Sequence, residues 1–358
     1  MSISANKILI TGAAGWLGRG LLNALINGLP DCERLCTPHD DLNIRVFVPA
    51  AEEEKIRVFS KNLEIIAGNL TNPEDCQLFC DGFENAILFH LAGVIHPKRS
   101  VKEFYAVNVQ GIKNMLQSAE KAGIKRAVIM SSNSPIGCNP KSDHLFDEQS
   151  PYNPYMNYGR SKMLMEQYIN KFRRNAKVET VIIRAPWFYG HFQPERQTLF
   201  FEMVRDGKAP IIGGGNNRRS MVYIDNLCQG LILAAAVPGA EGKTYWIADE
   251  RPYTMNEIVD TIERLLETEF GQRCKHKRLR LPGIVSEAAW FMDWLIQGCG
   301  FYNQKIHVLS EMNKTIACSI EKARKELGYK PSVALEEGMR RSLRWCYGDI
   351  CAGKAEDR

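Results

Sequence analysis

The sequence lacks the two features that would direct it to a membrane or a secretory pathway. No stretch approaches the roughly 18 uninterrupted apolar residues of a transmembrane helix. The first residues, MSISANKILITG, do not have the basic and then apolar order of a signal peptide. We therefore expect no integral membrane segment.

Charge of one sign is also scarce. The formal net charge is only +5 over 358 residues, which is too dilute for the clustered basic surface that binds nucleic acid. The one strongly basic run, residues 273–280, is typical of an exposed strand or its flank. We expect no nucleic-acid partner and a small-molecule substrate.

Regularly paired cysteines are missing as well. The 11 cysteines are odd in number and scattered, unlike the spaced pairs of a small secreted disulfide scaffold. We expect reduced thiols and a cytoplasmic location. Cys32, Cys36 and His39 have no fourth ligand at a suitable spacing, so we expect no metal site.

What the sequence does contain is an alternation of short β-branched runs with longer amphipathic stretches. This pattern predicts the α/β class, with a Rossmann-type doubly wound parallel sheet covered by helices on both faces. The candidate strands are Lys7–Ile10, Ile44–Val48, Leu63–Ile66, Ala86–His90, Ala127–Ser131 and Val178–Arg184. The candidate helices are Leu17–Asn27, Val101–Ala122 and Tyr158–Phe172. The segment Pro30–Asn43 is polar and turn-rich and is typical of a surface insertion.

The pattern loosens after about residue 186. We expect residues 1–185 to form a cofactor-binding domain that carries the catalytic residues. Residues 186–358 would form mainly a smaller C-terminal α/β substrate lobe, with some segments returning to the first domain. A strand at Met221–Ile224 and a helix at Asn226–Val237 follow there, and Ile284–Ile296 is interpreted as an amphipathic helix packed on its own protein.

A glycine-rich turn follows the first strand and opens the first helix. Gly12 and Gly15 allow backbone N–H groups to approach a pyrophosphate, and Gly18 allows the helix to lie close to the sheet. The candidate cofactor contacts in this turn are Gly12, Ala14, Gly15, Trp16 and Leu17. A strand before the turn and a helix after it make this a dinucleotide-binding pattern.

Two further strand ends fit a dinucleotide. Asn69, followed by Leu70, can accept a hydrogen bond from an adenine amino group. Leu91, Ala92 and Gly93 end the fourth strand with small residues that would admit the nicotinamide ribose. The end of the second strand reads Val48-Pro49-Ala50 and carries neither the acid that selects NAD nor an arginine for NADP, so both cofactors stay open. Arg19, Lys55 and Arg57 are possible substitutes for that arginine.

A tyrosine and a lysine four residues apart form the candidate catalytic pair. Tyr158 and Lys162 would lie on one helix face, where an ammonium group stabilises a phenolate and lowers the pKa of the phenol. Ser132, after the fifth strand, can bond the substrate oxygen alongside the tyrosine. Ser131 and Ser134 are close enough to be confused with it.

These motifs resemble the extended short-chain dehydrogenase/reductases, which include the NAD-dependent epimerases and dehydratases and a 3β-hydroxysteroid-dehydrogenase-like branch. The resemblance runs through TGAAGWLG, GNL, HLAG, MSSNSPIG, YGRSK and MVYIDNL. It implies NAD or NADP as cofactor, Tyr158 as acid/base and Lys162 as the group that orients the ribose. Counting back from Gly137, it places the active-site hydroxyl on Ser132.

The resemblance also leaves some roles open. Asn108 would hold a proton-relay water or merely support the strand. The helices Val101–Ala122 and Tyr158–Phe172 resemble those that pair in the family's dimers, which implies a homodimer.

The substrate class remains open between two readings. The family's dehydratases carry an Asp-Glu pair where this chain has Asn133-Ser134, which argues against 4,6-dehydration. A nucleotide-sugar epimerase or ketoreductase is slightly favoured, because Arg219 falls where such enzymes place an arginine on the diphosphate. The candidate substrate contacts are Ser134, Trp187 and Arg219.

The alternative is an oxidoreductase of a bulky apolar ketone or alcohol, similar to 3β-hydroxysteroid dehydrogenases. Its pocket would be lined by aromatic side chains, namely Trp187, Phe188, Trp290, Phe291 and Trp294. A cofactor-binding sensor without turnover is disfavoured, because Ser132, Tyr158 and Lys162 are all present.

Overall fold

The structure, a computed structural model, describes residues 6–37, 42–59 and 63–351. His39 and part of the predicted insertion at 30–43 lie outside these residues. The strands are β1 (Lys7–Thr11), β2 (Asn43–Val48), β3 (Glu64–Ala67), β4 (Ile87–His90), β5 (Arg126–Ser132), β6 (Glu179–Ala185), β7 (Trp187–Tyr189), β8 (Pro210–Ile212), β9 (Arg218–Arg219), β10 (Met221–Tyr223), β11 (Thr244–Trp246), β12 (Tyr253–Thr254) and β13 (Leu279–Leu281).

The helices follow the same alternation. They are α1 (Trp16–Asn27), α2 (Glu54–Arg57), α3 (Pro73–Cys80), α4 (Ile112–Lys121), α5 (Met156–Phe172), α6 (Glu195–Arg205), α7 (Ile224–Ala236), α8 (Met255–Thr268), α9 (Gly283–Gly298), α10 (Gln304–Glu311), α11 (Glu321–Leu327) and α12 (Leu335–Cys351). A π-helical segment, Phe104–Gly111, leads directly into α4, so the predicted helix 101–122 changes its hydrogen-bond register part-way.

Seven strands form the central parallel sheet in the order β11-β6-β5-β4-β1-β2-β3. The six predicted strands are confirmed to within one residue at each end. The strand order reverses beside β1, and ligands of such sheets bind at this switch point, beyond the carboxyl ends of the strands. The predicted Rossmann-type α/β fold is therefore confirmed.

The central strands are buried on both faces, as parallel sheets require. Ile8 and Ile10 of β1 point into one core with α1 and α7, while Leu9 points into the other with α3, α4 and α5. Alternate side chains of β1 thus pack against the helices on both faces of the sheet.

The seventh strand comes from the part of the chain expected to form the substrate lobe. β11 pairs with β6, and α7 packs beside α1 in the same core. A three-residue strand is too short to reveal a period of two, so the sequence pattern did not identify it. The rest of the lobe contains three two-stranded ladders, β7 with β10, β9 with β12 and β8 with β13.

Helix α9 has its polar side chains inside and its large apolar side chains outside. Ser286, Asp293 and Gln297 are buried against α10, whereas Trp290, Phe291 and Trp294 are exposed. The prediction that these three aromatic residues line a pocket is therefore wrong, because α10 offers α9 hydrogen-bonding partners rather than an apolar surface. The helix does pack on its own protein, as expected, but it does so through its polar face against α10. In the described part of the chain, no helix is long and apolar enough to cross a bilayer.

Asp249, which follows β11, links this strand to the second lobe through hydrogen bonds. Its buried carboxylate accepts hydrogen bonds from the Tyr223 backbone N–H at 2.9 Å, the Asn226 side chain at 2.9 Å and the Tyr189 hydroxyl at 2.8 Å. Burial raises the pKa of Asp249 to about 7, although the three donors act in the opposite direction.

We predict that Asp249→Asn removes a pH-dependent loss of stability. An acid whose pKa is higher in the folded than in the unfolded protein destabilises the fold as pH rises from the unfolded to the folded value. The wild type should therefore lose unfolding free energy relative to Asp249→Asn between about pH 4 and about pH 7. Urea unfolding at successive pH values measures this difference, and a constant difference across the interval would contradict the raised pKa.

Candidate active site

The glycine turn between β1 and α1 has the geometry that backbone binding of a pyrophosphate needs. Gly12 has φ +72°, and a Cβ there would lie 2.7 Å from the Ala92 backbone nitrogen. A Cβ on Gly18 would lie 2.2 Å from the Gly12 carbonyl oxygen. Gly15 is the N-cap of α1 and supplies no side-chain cap, so the first N–H groups of the helix have no side-chain acceptor.

The segment after β7 lies over this turn. The Trp16 indole donates a hydrogen bond to the His191 carbonyl at 2.7 Å, and the Trp16 ring is 4.7 Å from that of Phe188. The Arg19 guanidinium donates to the Phe192 carbonyl at 2.7 Å. These contacts fix Trp16 and Arg19 at the start of α1.

The basic residues near the end of β2 are paired with local glutamates. Lys55 lies 3.5 Å from Glu52 and Arg57 lies 3.1 Å from Glu53. Lys55 and Arg57, two of the three residues that could replace an NADP-selecting arginine, are thus paired with glutamates of their own turn.

The predicted adenine contact is held in a tight local turn. The Asn69 side-chain oxygen accepts from the Thr71 backbone N–H at 3.0 Å and from the Thr71 hydroxyl at 2.9 Å. Its predicted role as an acceptor for adenine stays a prediction and requires the Thr71 hydroxyl to rotate away. Leu70 is buried, and its carbonyl accepts from Asn114 at 2.9 Å.

The π-helical segment places Asn108 between β4 and α5. Its side-chain oxygen accepts from the Val94 backbone N–H at 2.8 Å, and its amide donates at 3.0 Å to both the Val94 carbonyl and the Ser161 hydroxyl. A Cβ on Gly93 would approach the Asn108 oxygen to 3.1 Å and Lys162 Nζ to 3.4 Å. Of the two roles left open for Asn108, this geometry favours support of the strand end.

Tyr158 and Lys162 lie one turn apart on α5, as their spacing predicts. Desolvation raises the pKa of Tyr158 to about 12 and outweighs a hydrogen bond with Ser132, which lowers it. Burial lowers the pKa of Lys162 to about 8, against the opposing effect of Glu166. In this structure Lys162 Nζ donates to the Met130 carbonyl at 3.0 Å rather than to the phenol.

Ser131 and Ser132 have different partners on the two sides of β5. Ser132 lies with Tyr158 and is 3.3 Å from the Ser134 hydroxyl, whereas Ser131 donates to Glu166 at 2.5 Å. The serine that faces the phenol is therefore Ser132, in agreement with the position implied by the family motif.

A buried ion pair lies behind α5. Arg184 donates to both carboxylate oxygens of Glu166, at 3.1 and 2.7 Å, and both side chains are almost fully buried. Ser131 and the Tyr152 hydroxyl complete the hydrogen bonds of the carboxylate. Sequence reasoning missed Glu166, although its position four residues after Lys162 is a signal for a residue on the same helix face.

Helices α9 and α10 form the wall opposite α5. His307 Nδ1 is 2.7 Å from Asp293, which also accepts two hydrogen bonds from Gln297 at 3.0 Å. Burial lowers the pKa of His307, but the hydrogen bond to Asp293 and the charge of Glu311 raise it more. The sequence analysis singled out none of these residues for a function.

This wall places negative charge near Tyr158. Glu311 raises the pKa of Tyr158, and it also raises that of Tyr155, whose hydroxyl is 2.8 Å from that of Ser310. The Tyr155 and Tyr302 rings lie 5.8 and 5.5 Å from that of His307.

The candidate substrate residues lie around the same end of the sheet. Ser134 is buried beside Ser132, and Trp187 follows the end of β6, with its ring 5.9 Å from that of Phe200. The Arg219 guanidinium donates to the Glu311 carbonyl at 2.5 Å. Within the described ranges, no cluster of three His, Cys, Asp or Glu side chains is arranged to hold a metal ion.

Comparison with known proteins identifies the family. Residues 8–248 match the NAD dependent epimerase/dehydratase family. The chain belongs to this family. Its members are NAD(P)-dependent enzymes, and the glycine turn, with its bare N-cap and its close backbone approach, fits such a cofactor.

Its relatives within and around the family have different activities. The chain is 52% identical to the uncharacterized protein y4nL of Sinorhizobium fredii, over 97% of this chain and 96% of that protein. It is 27% identical to a 3 beta-hydroxysteroid dehydrogenase/Delta 5→4-isomerase of Mycobacterium tuberculosis, over 96% of this chain and 91% of that protein. A dTDP-glucose 4,6-dehydratase of Streptomyces venezuelae, crystallised with NAD, shares the fold with a TM-score of 0.73 and 23% identity, covering 97% and 98% of the two chains.

We predict opposite effects for the two neighbouring serines. Ser132→Ala should lower kcat by about 10²- to 10³-fold because a donor to the substrate oxygen is lost, with little change in stability. Ser131→Ala should leave kcat nearly unchanged but cost about 1–3 kcal/mol of stability, because buried Glu166 loses a hydrogen bond. NADH absorbance and urea unfolding measure the two effects, and a large kcat loss in Ser131→Ala alone would reverse the assignment.

Proposed function

We propose that this protein transfers hydride between a nicotinamide cofactor and the secondary alcohol or ketone of a bulky apolar substrate. The observation that carries the proposal is the wall opposite Tyr158, where the rings of Tyr155 and Tyr302 lie against that of His307 and the charge of Glu311 raises the pKa of Tyr158. An uncharged substrate with one reacting oxygen suits this wall better than a diphosphate does, because the Glu311 carboxylate would repel the phosphate charge.

The chain's own residues would control the proton and the position of the reacting oxygen. The nicotinamide, when bound, accepts or supplies the hydride. Tyr158 would exchange the proton of the substrate hydroxyl, and Ser132 would hold the same oxygen by a hydrogen bond. Lys162, whose Nζ donates to the Met130 carbonyl in this structure, would favour the phenolate by its positive charge. Asn108 would act as a positioning residue for the strand end.

The relatives support an apolar substrate. The 3 beta-hydroxysteroid dehydrogenase of M. tuberculosis aligns over 96% of this chain, including the lobe that forms the wall opposite Tyr158. Trp187 and Phe200 would extend the aromatic surface of the pocket beyond the end of β6.

One observation favours the second candidate, a nucleotide-sugar epimerase or ketoreductase. Arg219 lies next to Glu311 and uses one guanidinium nitrogen on its carbonyl, which leaves other N–H groups to meet a phosphate. The sequence analysis slightly favoured this candidate. The Glu311 carboxylate on α10 now weighs against it.

We also propose NAD rather than NADP as the cofactor. Glu52, Glu53 and Glu54 follow β2 and pair with Lys55 and Arg57. This mixed cluster offers little net positive charge to a 2′-phosphate.

A thermal-shift panel tests both proposals, since ligands that bind the native state raise its apparent stability. NAD should raise Tm more than NADP. In the presence of NAD, a 3β-hydroxysteroid should raise Tm further and yield NADH, whereas UDP and dTDP should add nothing. A shift with a nucleoside diphosphate and none with the steroid would reverse the order of the two candidates.

Substitution of Arg219 separates the candidates at the site itself. Arg219→Ala should change KM for a 3β-hydroxysteroid by less than about twofold, whereas loss of a charge-assisted bond to a phosphate would cost about 10- to 100-fold. Arg218→Ala is the matched control, because its exposed neighbouring guanidinium contacts the Ser142 and Asp143 carbonyls instead. Urea unfolding of both variants separates loss of binding from loss of folding.

The homodimer and the cytoplasmic location stay predictions. A two-fold contact through α4 and α5 would bring two helices from each chain together. Light scattering at micromolar concentration should give twice the 40.5 kDa chain mass, and a monomer would contradict the dimer.

A further inference from the structure

Helix α9 presents an apolar surface to solvent. Ile284 is 72% exposed, Phe291 53%, Met292 51%, Trp294 54%, Leu295 46% and Trp290 39%. Single exposed apolar residues are ordinary, but six on one helix of sixteen residues form a continuous patch. We call these six side chains the α9 patch.

The α9 patch is not needed to pack the helix against the rest of the chain. The opposite side of α9 is already occupied, since Ser286 donates to the Leu309 and Ser310 carbonyls and Asp293 binds His307. The helix is therefore anchored by polar contacts on the inside and has its apolar arc free on the outside. Its position does not depend on burying that arc within the protein.

Basic side chains precede and follow the α9 patch along the chain. Lys277 and Arg280 precede the helix, and Lys305 follows it in the first turn of α10. All three are exposed, and none of them takes part in an ion pair with another described residue. The one acid exposed on the same arc, Glu287, is paired with Lys314.

We infer that the α9 patch docks the protein on the surface of an anionic lipid bilayer. An apolar helix face with tryptophan and phenylalanine, flanked by lysine and arginine, is the pattern of helices that lie in the membrane interface. The aromatic rings enter the boundary between head groups and acyl chains, and the basic side chains contact the anionic head groups.

A second copy of the chain fits the patch less well. A two-fold contact puts the same surface on both partners, so the basic residues at its ends would face each other or their own symmetry copies. The patch also lies on the outer arc of a single helix. An anionic surface satisfies the apolar arc and the basic ends together.

The inference does not depend on which substrate the enzyme uses. Docking through α9 would bring the wall formed by α9 and α10 close to the bilayer, because buried Asp293 and exposed Trp294 are consecutive residues of the same helix. A substrate dissolved in the bilayer would then have a short route to Tyr158.

Vesicle co-sedimentation of the full chain tests the docking surface. The wild type should bind vesicles of phosphatidylcholine with phosphatidylglycerol, bind pure phosphatidylcholine more weakly, and lose affinity as salt is raised. The double variant Phe291→Ser with Trp294→Ser should bind about tenfold more weakly. The matched control, Val58→Ser with Leu78→Ser, removes two side chains that are 81% and 59% exposed on another part of the surface and should bind like the wild type.

Two further measurements keep the result decisive. Brominated lipids should quench the tryptophan fluorescence of the wild type, and this measurement does not depend on the folding of any variant. The double variant Lys277→Glu with Arg280→Glu should abolish the preference for anionic vesicles. Absence of vesicle binding by the wild type, or equal loss in the control variant, would overturn the inference. A dimer in sedimentation velocity that dissociates in the Phe291→Ser, Trp294→Ser variant would assign the patch to a second copy instead.

Discussion

The buried pair of Glu166 and Arg184 joins the catalytic helix to the sheet, and the rest of the site depends on it. Arg184 comes from β6, Glu166 from α5 and Ser131 from β5, so one carboxylate holds three elements in register. Removing either partner would leave an unpaired buried charge, which is far more costly than the net gain from the pair. Because Lys162 lies one turn before Glu166, the same contact sets the electrostatic surroundings of the lysine. Ser132, Tyr158 and Lys162 therefore have a shared support that itself touches no substrate.

A second polar connection organises the opposite wall. Asp293 on α9 binds His307 on α10, and Gln297 extends the contact through its side-chain oxygen to Asn157 at the start of α5. This chain of bonds links the C-terminal lobe to α5, in addition to the contact of the Phe104 ring with those of Tyr158 and Tyr302. It also explains why α9 turns its polar face inward. Hydrogen bonds, rather than buried apolar area, fix the position of this helix.

The parts of the molecule that the sequence predicted are those with local causes. The glycine turn follows from backbone sterics within a few residues, and the Tyr158–Lys162 spacing follows from the pitch of a helix. The six long strands carried enough β-branched residues to be recognised. β11 was missed, because three residues show no period and its place beside β6 is decided by tertiary pairing.

Other features depend on partners distant in the chain. The amphipathic pattern located α9. Such a pattern shows that the two faces of a helix differ in polarity, but it does not show which face is buried. The usual expectation placed the aromatic face inward, and the polar partners offered by α10 reversed it. His307 was not singled out, since nothing in the sequence around it indicates that Asp293 lies beside it. The pair of Glu166 and Arg184 likewise spans two elements that only the folded sheet brings together.

The π-helical segment before α4 has a consequence for how this chain tolerates change. A helix in the i to i+5 register holds one residue more than an α-helix of the same span. Deleting a residue between 104 and 107 would let the segment relax to ordinary α-helix of the same span, so that α4 keeps its place on the sheet. Asn108 lies inside the segment, so its three bonds to Val94 and Ser161 belong to the part of the chain that the deletion would reshape. The additional residue therefore affects the place of Asn108 and not the place of α4.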